Sequence, residues 1–427
     1  MKLVIVGNGI TGLSAAREVR KRLPSAKIQM ISSEHIYPFS RTALMYVYMG
    51  HVDLQATECY ARDFYAKNRI DLVFGRAERA DTKAKRVHLE GGTSLEYDAL
   101  LIAAGSVPAK YGWPGQDLQG VQGMYSLQDL TAIQNASERG IRRAVIVGGG
   151  LIGIELAEMF HSRRTPVSML VRETSYASHI LPPEESDLVN REILRHGIDL
   201  MLSTNLKEIR GKAGKAAAVV TDQDLQIDCD FVGLTAGVTP LSDFATASNA
   251  SCARGILVND RFETSVPQVF AAGDCAQFLE PDGTPGRVEQ LWYTGRIQGT
   301  LAGAVIADSL RGKAITECYR PDVFFNSAKF FTIEYQTYGS VPADAESVLF
   351  MDHANNRSIR IAYNRNTKCV AGFVLMGIRY RQEVCQRWIR ENKTIEYVLD
   401  HLREANFDPE FSLRYESAVK AVYRKSQ

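Results

Sequence analysis

The sequence predicts an α/β protein in which two doubly wound parallel sheets are followed by a smaller α+β unit. Two observations predict the sheets. A short apolar strand, a glycine-rich turn and an amphipathic helix occur in that order at the N-terminus, and the same series returns about 140 residues later. A third observation predicts the separate unit, because after Gly312 the pattern changes to alternating or apolar runs typical of antiparallel strands.

The composition sets the class of protein. The chain has 427 residues, of which 45% are hydrophobic and 23% charged, which is enough for more than one buried core. A net charge of only +1 provides no field to hold nucleic acid or an anionic membrane. No run approaches the roughly 20 apolar residues of a membrane span. We therefore expect neither a nucleic-acid partner nor a membrane span.

The seven cysteines predict a reducing environment. They are widely spaced and include no CxxC pair. This pattern favours a cytoplasmic protein that has no structural disulfide and no metal site.

The first strand–turn–helix series predicts a nucleotide site. Residues 2–6 are an apolar β-branched run, and Gly7, Gly9 and Gly12 follow at once, with Ile10 and Thr11 at the start of the helix. In a GxGxxG turn, the first glycine allows the tight turn, the second lets the backbone approach a pyrophosphate, and the third lets the helix pack on the strand. The first helix is expected to end at Pro24.

An acidic residue is expected at the end of the next strand, where it binds a ribose hydroxyl. Residues 27–32 form that predicted strand, and Glu34 is the candidate acid. Ser32 and Ser33 are weaker candidates. The alternative is that Glu34 only caps a loop.

The second series has the same organisation. A strand at 142–147 leads into Gly148, Gly150 and Gly153, and the following helix begins near Leu151 and Ile152. The strand after that helix ends Val171-Arg172-Glu173. Val171 stands where an NADH site usually has its acid. Arg172 favours NADPH, since its planar guanidinium suits a 2′-phosphate, whereas Glu173 keeps NADH open.

Two similar strand ends predict the domain boundaries. Both the 97–108 and the 229–240 segments are apolar strands that close with Ala-Gly and then a proline. We interpret them as the exits from the two nucleotide folds. The predicted domains are an FAD-binding domain (1–110 and 245–312), an inserted NAD(P)-binding domain (111–244) and a C-terminal α+β interface domain (313–427). Two dinucleotide sites in one chain are typical of proteins that stack a nicotinamide against a flavin for hydride transfer.

Five ordered motifs resemble those of the FAD-dependent pyridine nucleotide–disulfide oxidoreductase superfamily, in its ferredoxin, rubredoxin and nitrite reductase type. The motifs are GNGITG, the AAG at 103–105, GGGLIGIE at 148–155, TAGVTP at 235–240 and TSVPQVFAAGDCA at 264–276. The resemblance covers roughly residues 1–312 and implies two Rossmann-like domains with FAD and NAD(P)H as cofactors.

The resemblance extends the set of candidate site residues. Asp274 would accept a hydrogen bond from the flavin ribityl chain, Trp292 would lie beside the isoalloxazine ring, and Glu155 would lie beside the nicotinamide pocket. The residues expected to contact FAD are Gly7, Gly9, Ile10, Thr11, Gly12, Ser33, Glu34, Arg41, Ala77, Ala104, Gly105, Gly273, Asp274 and Trp292. Those expected to contact NAD(P) are Gly148, Gly150, Leu151, Ile152, Gly153, Glu155, Arg172 and Gly237. Glu155, Arg41 and Trp292 are expected to tune the catalytic pockets.

Departures from the superfamily pattern narrow the chemistry. Disulfide-reducing and oxidase relatives carry a cysteine nucleophile where this chain has Thr42, and the CxxxxC pair is also missing. Thiol chemistry requires a thiolate, so we expect no protein dithiol. Tyr46 stands where relatives often have a lysine that pairs with the glutamate of the second motif.

The C-terminal segment offers two interpretations. Lys329, Tyr335 and Tyr338 could reach a site, although strand core and a solvated lysine are favoured. A set of arginines could form a basic docking face for an acidic carrier, although a solvated helix face is favoured; they are Arg379, Arg381, Arg387 and Arg390.

The predicted function is an FAD-dependent NAD(P)H oxidoreductase that passes electrons to an iron–sulfur protein such as ferredoxin or rubredoxin. One alternative is an oxidase or a quinone or small-molecule reductase. Another is a flavin-based redox-sensing interaction protein, since fold alone does not decide function. The expected assembly is a homodimer or a monomer.

Overall fold

The computed structural model describes residues 1–342, 345–411 and 413–426, which form two compact units. The first unit comprises Met1–Ala109, Gly123–Gly140 and Gly237–Arg320. The second comprises Lys110–Gln122, Ile141–Ala236 and Pro321–Gln427.

The α-helices of the described residues are α1 (Ile10–Arg22), α2 (Leu44–Tyr48), α3 (Asp63–Lys67), α4 (Leu127–Glu138), α5 (Leu151–Ser162), α6 (Pro183–Arg195), α7 (Asp243–Ala247), α8 (Trp292–Leu310), α9 (Gln382–Arg390), α10 (Ile395–His401) and α11 (Glu416–Ser426). Short 3₁₀ turns span Arg41–Ala43, Gln55–Thr57 and Leu402–Ala405. The strands are β1 (Lys2–Val6), β2 (Lys27–Ser32), β3 (Ile70–Phe74), β4 (Ala77–Asp81), β5 (Arg86–Leu89), β6 (Ser94–Glu96), β7 (Ala99–Ile102), β8 (Ser106–Pro108), β9 (Val121–Gln122), β10 (Ala144–Val147), β11 (Val167–Leu170), β12 (Asp199–Met201), β13 (Leu206–Lys212), β14 (Lys215–Thr221), β15 (Gln226–Asp228), β16 (Phe231–Leu234), β17 (Val238–Pro240), β18 (Ile256–Val258), β19 (Val269–Ala271), β20 (Ala276–Leu279), β21 (Pro285–Val288), β22 (Phe325–Phe330), β23 (Ile333–Gly339), β24 (Glu346–Asp352), β25 (Arg357–Tyr363) and β26 (Val370–Met376).

The first unit is built on a five-stranded parallel sheet of order β19-β7-β1-β2-β3. The centre of β1 is fully buried, as expected for a strand covered on both faces. Helix α8 packs closely on α1 through a stripe of glycines. A Cβ at Gly299 would come within 2.2 Å of the Thr11 carbonyl oxygen, and one at Gly303 within 2.7 Å of the Ala15 carbonyl oxygen.

Two similar segments of the sequence pair with each other in the first unit. Strand β8, which follows the first Ala-Gly motif, forms an antiparallel ribbon with β17, which follows the second. The Ala109 N–H donates to the Gly237 carbonyl oxygen, with an N···O distance of 3.0 Å. The segments predicted as exits therefore lie side by side.

The second unit contains another parallel sheet, of order β12-β11-β10-β16-β9, together with the antiparallel sheet β13-β14-β15. Its C-terminal part is an antiparallel sheet of order β22-β23-β26-β25-β24. Tyr335 and Tyr338 are buried in this sheet, so the interpretation as strand core is correct.

Buried carboxylates join the C-terminal sheet to helix α6. The Arg360 guanidinium contacts Glu185 through Nε and Nη2 at 2.9 and 3.0 Å and reaches Glu184 at 2.6 Å. Glu192, which is also buried, accepts hydrogen bonds from Thr332 and Asn356. Arg360, Glu185 and Glu192 are removed from water, so each needs its partner, and the C-terminal sheet is fixed to this helix. Glu184 is half exposed.

The predicted fold class is confirmed. The predicted domain boundaries stay a prediction, and they differ from the limits of the two units: residues 123–140 and 237–244 lie in the first unit, and the C-terminal segment lies in the second. Within the described parts of the chain, we find no helix that combines the length and apolarity a bilayer crossing needs.

Candidate functional site

The first glycine loop is shaped by close backbone contacts. Gly7 has φ +108°, and a Cβ there would lie 2.1 Å from the Ala103 carbonyl oxygen. A Cβ at Gly12 would lie 2.1 Å from the Gly7 carbonyl oxygen. At Gly9 the space is open, and this residue is the N-cap of α1 without a side-chain cap. The first-turn N–H groups of α1 thus face a cradle that fits a pyrophosphate.

Asn8, inside this loop, is a residue that sequence reasoning missed. Its side chain is buried, and Nδ2 donates to the carbonyl oxygens of His35 at 2.8 Å and Ile36 at 3.2 Å. These bonds tie the loop to the segment that follows Glu34. The only signal in the sequence was a polar side chain between two obligatory glycines.

Two predicted residues of the first site, Glu34 and Arg41, meet as a bidentate pair. Nη1 and Nη2 of Arg41 lie 2.9 and 2.6 Å from the Glu34 carboxylate. The N–H of Leu127, the first residue of α4, donates to the same carboxylate at 2.7 Å. Ser33 is exposed beside them. Glu34 is therefore held rigidly at the end of β2.

Tyr125 is a second residue of this site that the sequence did not reveal. Its carbonyl oxygen accepts from Arg41 at 2.5 Å, and the Arg41 guanidinium lies 4.5 Å from its ring centroid. Its hydroxyl accepts from the Ser106 N–H at 3.0 Å and donates to Asp274 at 3.2 Å. A Cβ at Gly105 would come within 3.0 Å of that hydroxyl. Tyr125 thus links candidate residues from distant parts of the chain.

Asp274 lies in a confined turn. Gly273 before it has φ +80°, and a Cβ there would lie 2.4 Å from Oγ1 of Thr11. Burial raises the pKa of the Asp274 carboxyl, while the Tyr125 hydroxyl and the charge of Arg41 act in the opposite direction. The carboxylate has a second oxygen available for a further donor such as a ribityl hydroxyl.

The remaining predicted FAD residues are placed as follows. Trp292 is the first residue of α8, whose N-cap has no side-chain hydrogen bond, and its ring meets that of Tyr293 edge to face at 5.3 Å. Ala104 follows β7 in the loop packed against Gly7. Ala77 begins β4 and pairs with Leu89 in an antiparallel ladder.

The second glycine loop repeats the geometry of the first. A Cβ at Gly148 would lie 2.6 Å from the Thr235 carbonyl oxygen, and one at Gly153 would lie 2.7 Å from the Gly148 carbonyl oxygen. Gly150 is the N-cap of α5 and borders open space. The buried hydroxyl of Tyr176, which the sequence did not indicate, donates to the Gly150 carbonyl oxygen. Leu151 and Ile152 form the first turn of α5.

Arg172 and Glu173, the two candidates for selecting between NADH and NADPH, follow β11 and have different surroundings. A Cβ on Gly149 would lie 2.8 Å from Val171 Cγ1 and 3.6 Å from a Glu173 carboxylate oxygen, so Glu173 lies over the glycine loop. Arg172 is mostly exposed and approaches Glu173 at 3.0 Å. Gly237, also predicted here, begins the segment that belongs to the first unit.

Glu155 and Glu158 lie one turn apart on α5 in different environments. Removal from water, and then the charge of Glu158, raises the pKa of Glu155 to about 7. Glu158 has polar partners, since its carboxylate accepts from the Phe331 N–H at 3.1 Å and lies 3.5 Å from Nζ of Lys329. Lys329, which was expected to be solvated, keeps 39% of its side chain exposed and also contacts Glu158.

The other residues singled out in the sequence have the following contacts. Thr42 and Ser40 share a hydrogen bond of 3.1 Å, and Tyr46 stacks on His51. The proposed basic face is largely neutralised, because three of its arginines have carboxylate partners: Arg379 pairs with Glu334, Arg387 with Glu404 and Arg390 with Asp322. Within the described ranges, no cluster of three or more potential metal ligands occurs.

Two glycine loops, each followed by an acidic residue after the next strand, are typical of oxidoreductases that bind two dinucleotides. The model of the pyridine nucleotide-disulphide oxidoreductase family matches residues 1–299. The chain therefore belongs to this family, and as a member it is an oxidoreductase that uses FAD and NAD(P)H.

Curated relatives include the assimilatory nitrate reductase electron transfer subunit of Bacillus subtilis, which is 29% identical over 73% of this chain and 40% of the relative. This chain thus spans well under half of that protein. The ferredoxin–NAD(+) reductase component of the biphenyl dioxygenase system of Paraburkholderia xenovorans is 29% identical over 64% of this chain and 67% of the relative.

A solved structure with the same fold is the NAD-dependent persulfide reductase of A. fulgidus. It is 21% identical and superimposes with a TM-score of 0.84 over 100% of this chain and 84% of that one. At this identity the likeness concerns the fold alone.

Proposed function

We propose that this protein takes electrons from NADH through FAD and delivers them to an iron–sulfur protein. The observation that carries the proposal is the presence of two glycine loops in one chain, each closed by backbone contacts and open at an uncapped helix N-terminus. Names of relatives such as ferredoxin–NAD(+) reductase support the class of acceptor. Seven free cysteines support a reducing, cytoplasmic location.

The residues of the first unit would hold FAD by its charged and polar parts. The first turn of α1 would bind the pyrophosphate at Gly9, and Asp274 would accept from the ribityl chain. Glu34, oriented by Arg41, would accept from the adenosine ribose. Bound FAD supplies the hydride-accepting and single-electron chemistry that amino-acid side chains lack. The uncapped N-terminus of α8 at Trp292 would stabilise negative charge near the flavin.

The residues of the second unit favour NADH over NADPH. The Glu173 carboxylate lies over Gly149, where it can accept from a ribose 2′-hydroxyl and would repel a 2′-phosphate. Arg172 points into solvent and is partly neutralised by Glu173 itself. We therefore propose that Glu173 selects NADH, whereas the sequence alone favoured NADPH through Arg172.

Nucleotide affinity of matched variants tests this selection. Glu173→Gln should weaken NADH binding about tenfold and improve NADPH binding, since a hydrogen bond to a charged group contributes roughly 1.5–3 kcal/mol. Arg172→Ala, which changes the neighbouring side chain, should alter both affinities by less than about threefold. A selective loss of NADPH binding in Arg172→Ala would contradict the assignment.

Anaerobic titration followed by an acceptor screen tests the reaction. NADH should bleach the flavin band of the purified protein, and a ferredoxin or rubredoxin should restore it faster than dioxygen or a quinone does. Bleaching followed by rapid restoration with dioxygen alone would make the protein an oxidase. If neither NADH nor NADPH bleaches bound flavin, the proposed function is wrong.

A further inference from the structure

A fully buried glutamine contacts the turn that carries Asp274. Gln298 lies on α8, and its Oε1 accepts a hydrogen bond from the Gly273 N–H at 2.8 Å. On the other side, its Nε2 donates to Oε2 of Glu289 at 2.9 Å. The amide therefore bridges the turn and a carboxylate, and both of its ends are occupied.

Glu289 collects two further donors. The Tyr319 hydroxyl donates to the same Oε2 at 2.5 Å, and Nε of Arg287 contacts Oε1 at 2.7 Å. Three donors on one carboxylate fix its orientation. The Tyr319 ring is held as well, since it stacks on Phe278 with centroids 5.0 Å apart.

The Gly273 turn has little freedom to adjust by itself. Its Cα lies against Thr11, since a Cβ there would come within 2.4 Å of Oγ1 of that residue. Gly295 and Gly299 of α8 press on the same threonine, with Cβ positions 2.9 and 2.2 Å from its atoms. A movement of Gln298 would therefore be transmitted to Asp274 rather than absorbed.

Tyr319 lies at the point where the chain leaves the first unit. It precedes Arg320, the last residue of the first unit, beyond which the chain enters the second unit at Pro321. Its N–H donates to the Asp260 carbonyl oxygen at 2.7 Å, so the departing segment is anchored at this point. The hydrogen-bond series thus begins where the chain leaves the first unit and ends at the Asp274 turn.

We propose that Tyr319, Glu289 and Gln298 form a positioning relay that sets the geometry of Asp274 toward the flavin ribityl chain and couples it to the segment leaving the first unit. The three are positioning residues, since they act through the Gly273 turn. The inference rests on the proposed binding of FAD at Asp274. It adds that the segment at Tyr319, where the chain leaves the first unit, influences the position of Asp274.

Flavin affinity and the visible spectrum test the relay. Gln298→Leu leaves the Gly273 N–H without its acceptor and removes one of the three donors to Glu289. We expect the FAD dissociation constant to rise about tenfold, with a shift of the flavin absorption and visible circular dichroism bands. Tyr319→Phe keeps the ring stacking and removes one hydroxyl, so it should give the same spectral shift and a rise of about threefold.

Matched variants separate the relay from general loss of packing. Gln277 is a buried glutamine of the same unit that bridges Gly255 and Gly286 instead, and Tyr97 has a buried hydroxyl without a hydrogen-bond partner. Gln277→Leu and Tyr97→Phe should leave the flavin bands unchanged, even where thermal stability falls. In the apoprotein, hydrogen exchange of segment 269–279 should accelerate in Tyr319→Phe and not in Tyr97→Phe.

The outcomes are distinguishable from failure of the proposed function. Wild-type protein that binds no flavin would overturn the proposed function. Yellow wild-type protein, with Tyr319→Phe showing unchanged bands, affinity and exchange, would overturn the relay alone. If Gln298→Leu does not fold, the comparison of Tyr319→Phe with its control Tyr97→Phe still tests the relay.

Discussion

The two glycine loops of this protein have nearly the same backbone and very different surroundings. In each, the first glycine lies against the carbonyl of a neighbouring strand end and the middle one borders open space. At the first loop, the following acid, Glu34, is clamped by Arg41 and a helix N–H. At the second, Glu173 has only the exposed Arg172 beside it. Under the proposed function, the loop would bind the phosphates and the neighbouring acid would select between nucleotides.

The helices that follow the two loops also have different surroundings. Helix α1 packs through the glycines of α8, an apolar and close contact. Helix α5 carries Glu155 and Glu158, and the C-terminal strands supply Lys329 and the Phe331 N–H to the second of them. Both loops are thus held by close backbone contacts, and the second unit is in addition held together by ion pairs.

The largest effect is expected where charge fixes the second unit. Arg360→Met leaves the fully buried Glu185 without its partner, which should lower the free energy of unfolding by roughly 3–5 kcal/mol. Chemical denaturation measures it. As a control, Arg365→Met removes an exposed partner of Glu346 and should change the stability by less than about 1 kcal/mol. Equal effects of both variants would contradict fixation by buried charge.

An intermediate effect is expected where shape fixes the first cradle. A Cβ in Gly12→Ala would meet the Gly7 carbonyl oxygen at 2.1 Å, so the loop must shift at a loss of roughly 1–3 kcal/mol and with release of FAD. Gly9→Ala meets no atom within 4 Å and should keep its stability while it hinders the approach of the pyrophosphate. Thermal unfolding and flavin content measure the two effects; a stable, yellow Gly12→Ala protein would speak against the close contact.

A smaller, pH-dependent effect should distinguish the two glutamates of α5. The pKa of Glu155 is raised to about 7 from its ordinary 4.5, so the fold prefers its neutral form. Its contribution to stability is present below pH 4.5 and lost as the pH rises through 7. Glu155→Gln should therefore gain about 1–2 kcal/mol relative to wild type between pH 5 and 8.5. Glu158→Gln should instead lose stability, since Lys329 would lose its partner. Denaturation curves of wild type and both variants at pH 5 and pH 8.5 measure the effect. A stability difference between Glu155→Gln and wild type that is the same at both pH values would refute the raised pKa.

Much of the architecture followed from local patterns. The apolar run of residues 2–6 and the glycines at fixed spacing predicted both parallel sheets and both cradles, because a turn with φ near +108° at Gly7 and a strand covered on both faces leave local traces. The resemblance to the superfamily further implied that Thr42 stands where relatives carry a cysteine nucleophile.

Only the tertiary structure decided which side chains meet. Tyr125 joins Arg41, 84 residues away, to Asp274, 149 residues away, and no periodicity in the chain encodes such contacts. The partner of Lys329 and the neutralised arginines of the C-terminal segment were hidden for the same reason. Short-range sequence patterns report backbone conformation and burial, whereas hydrogen bonds and ion pairs between distant segments depend on how the sheets and helices pack.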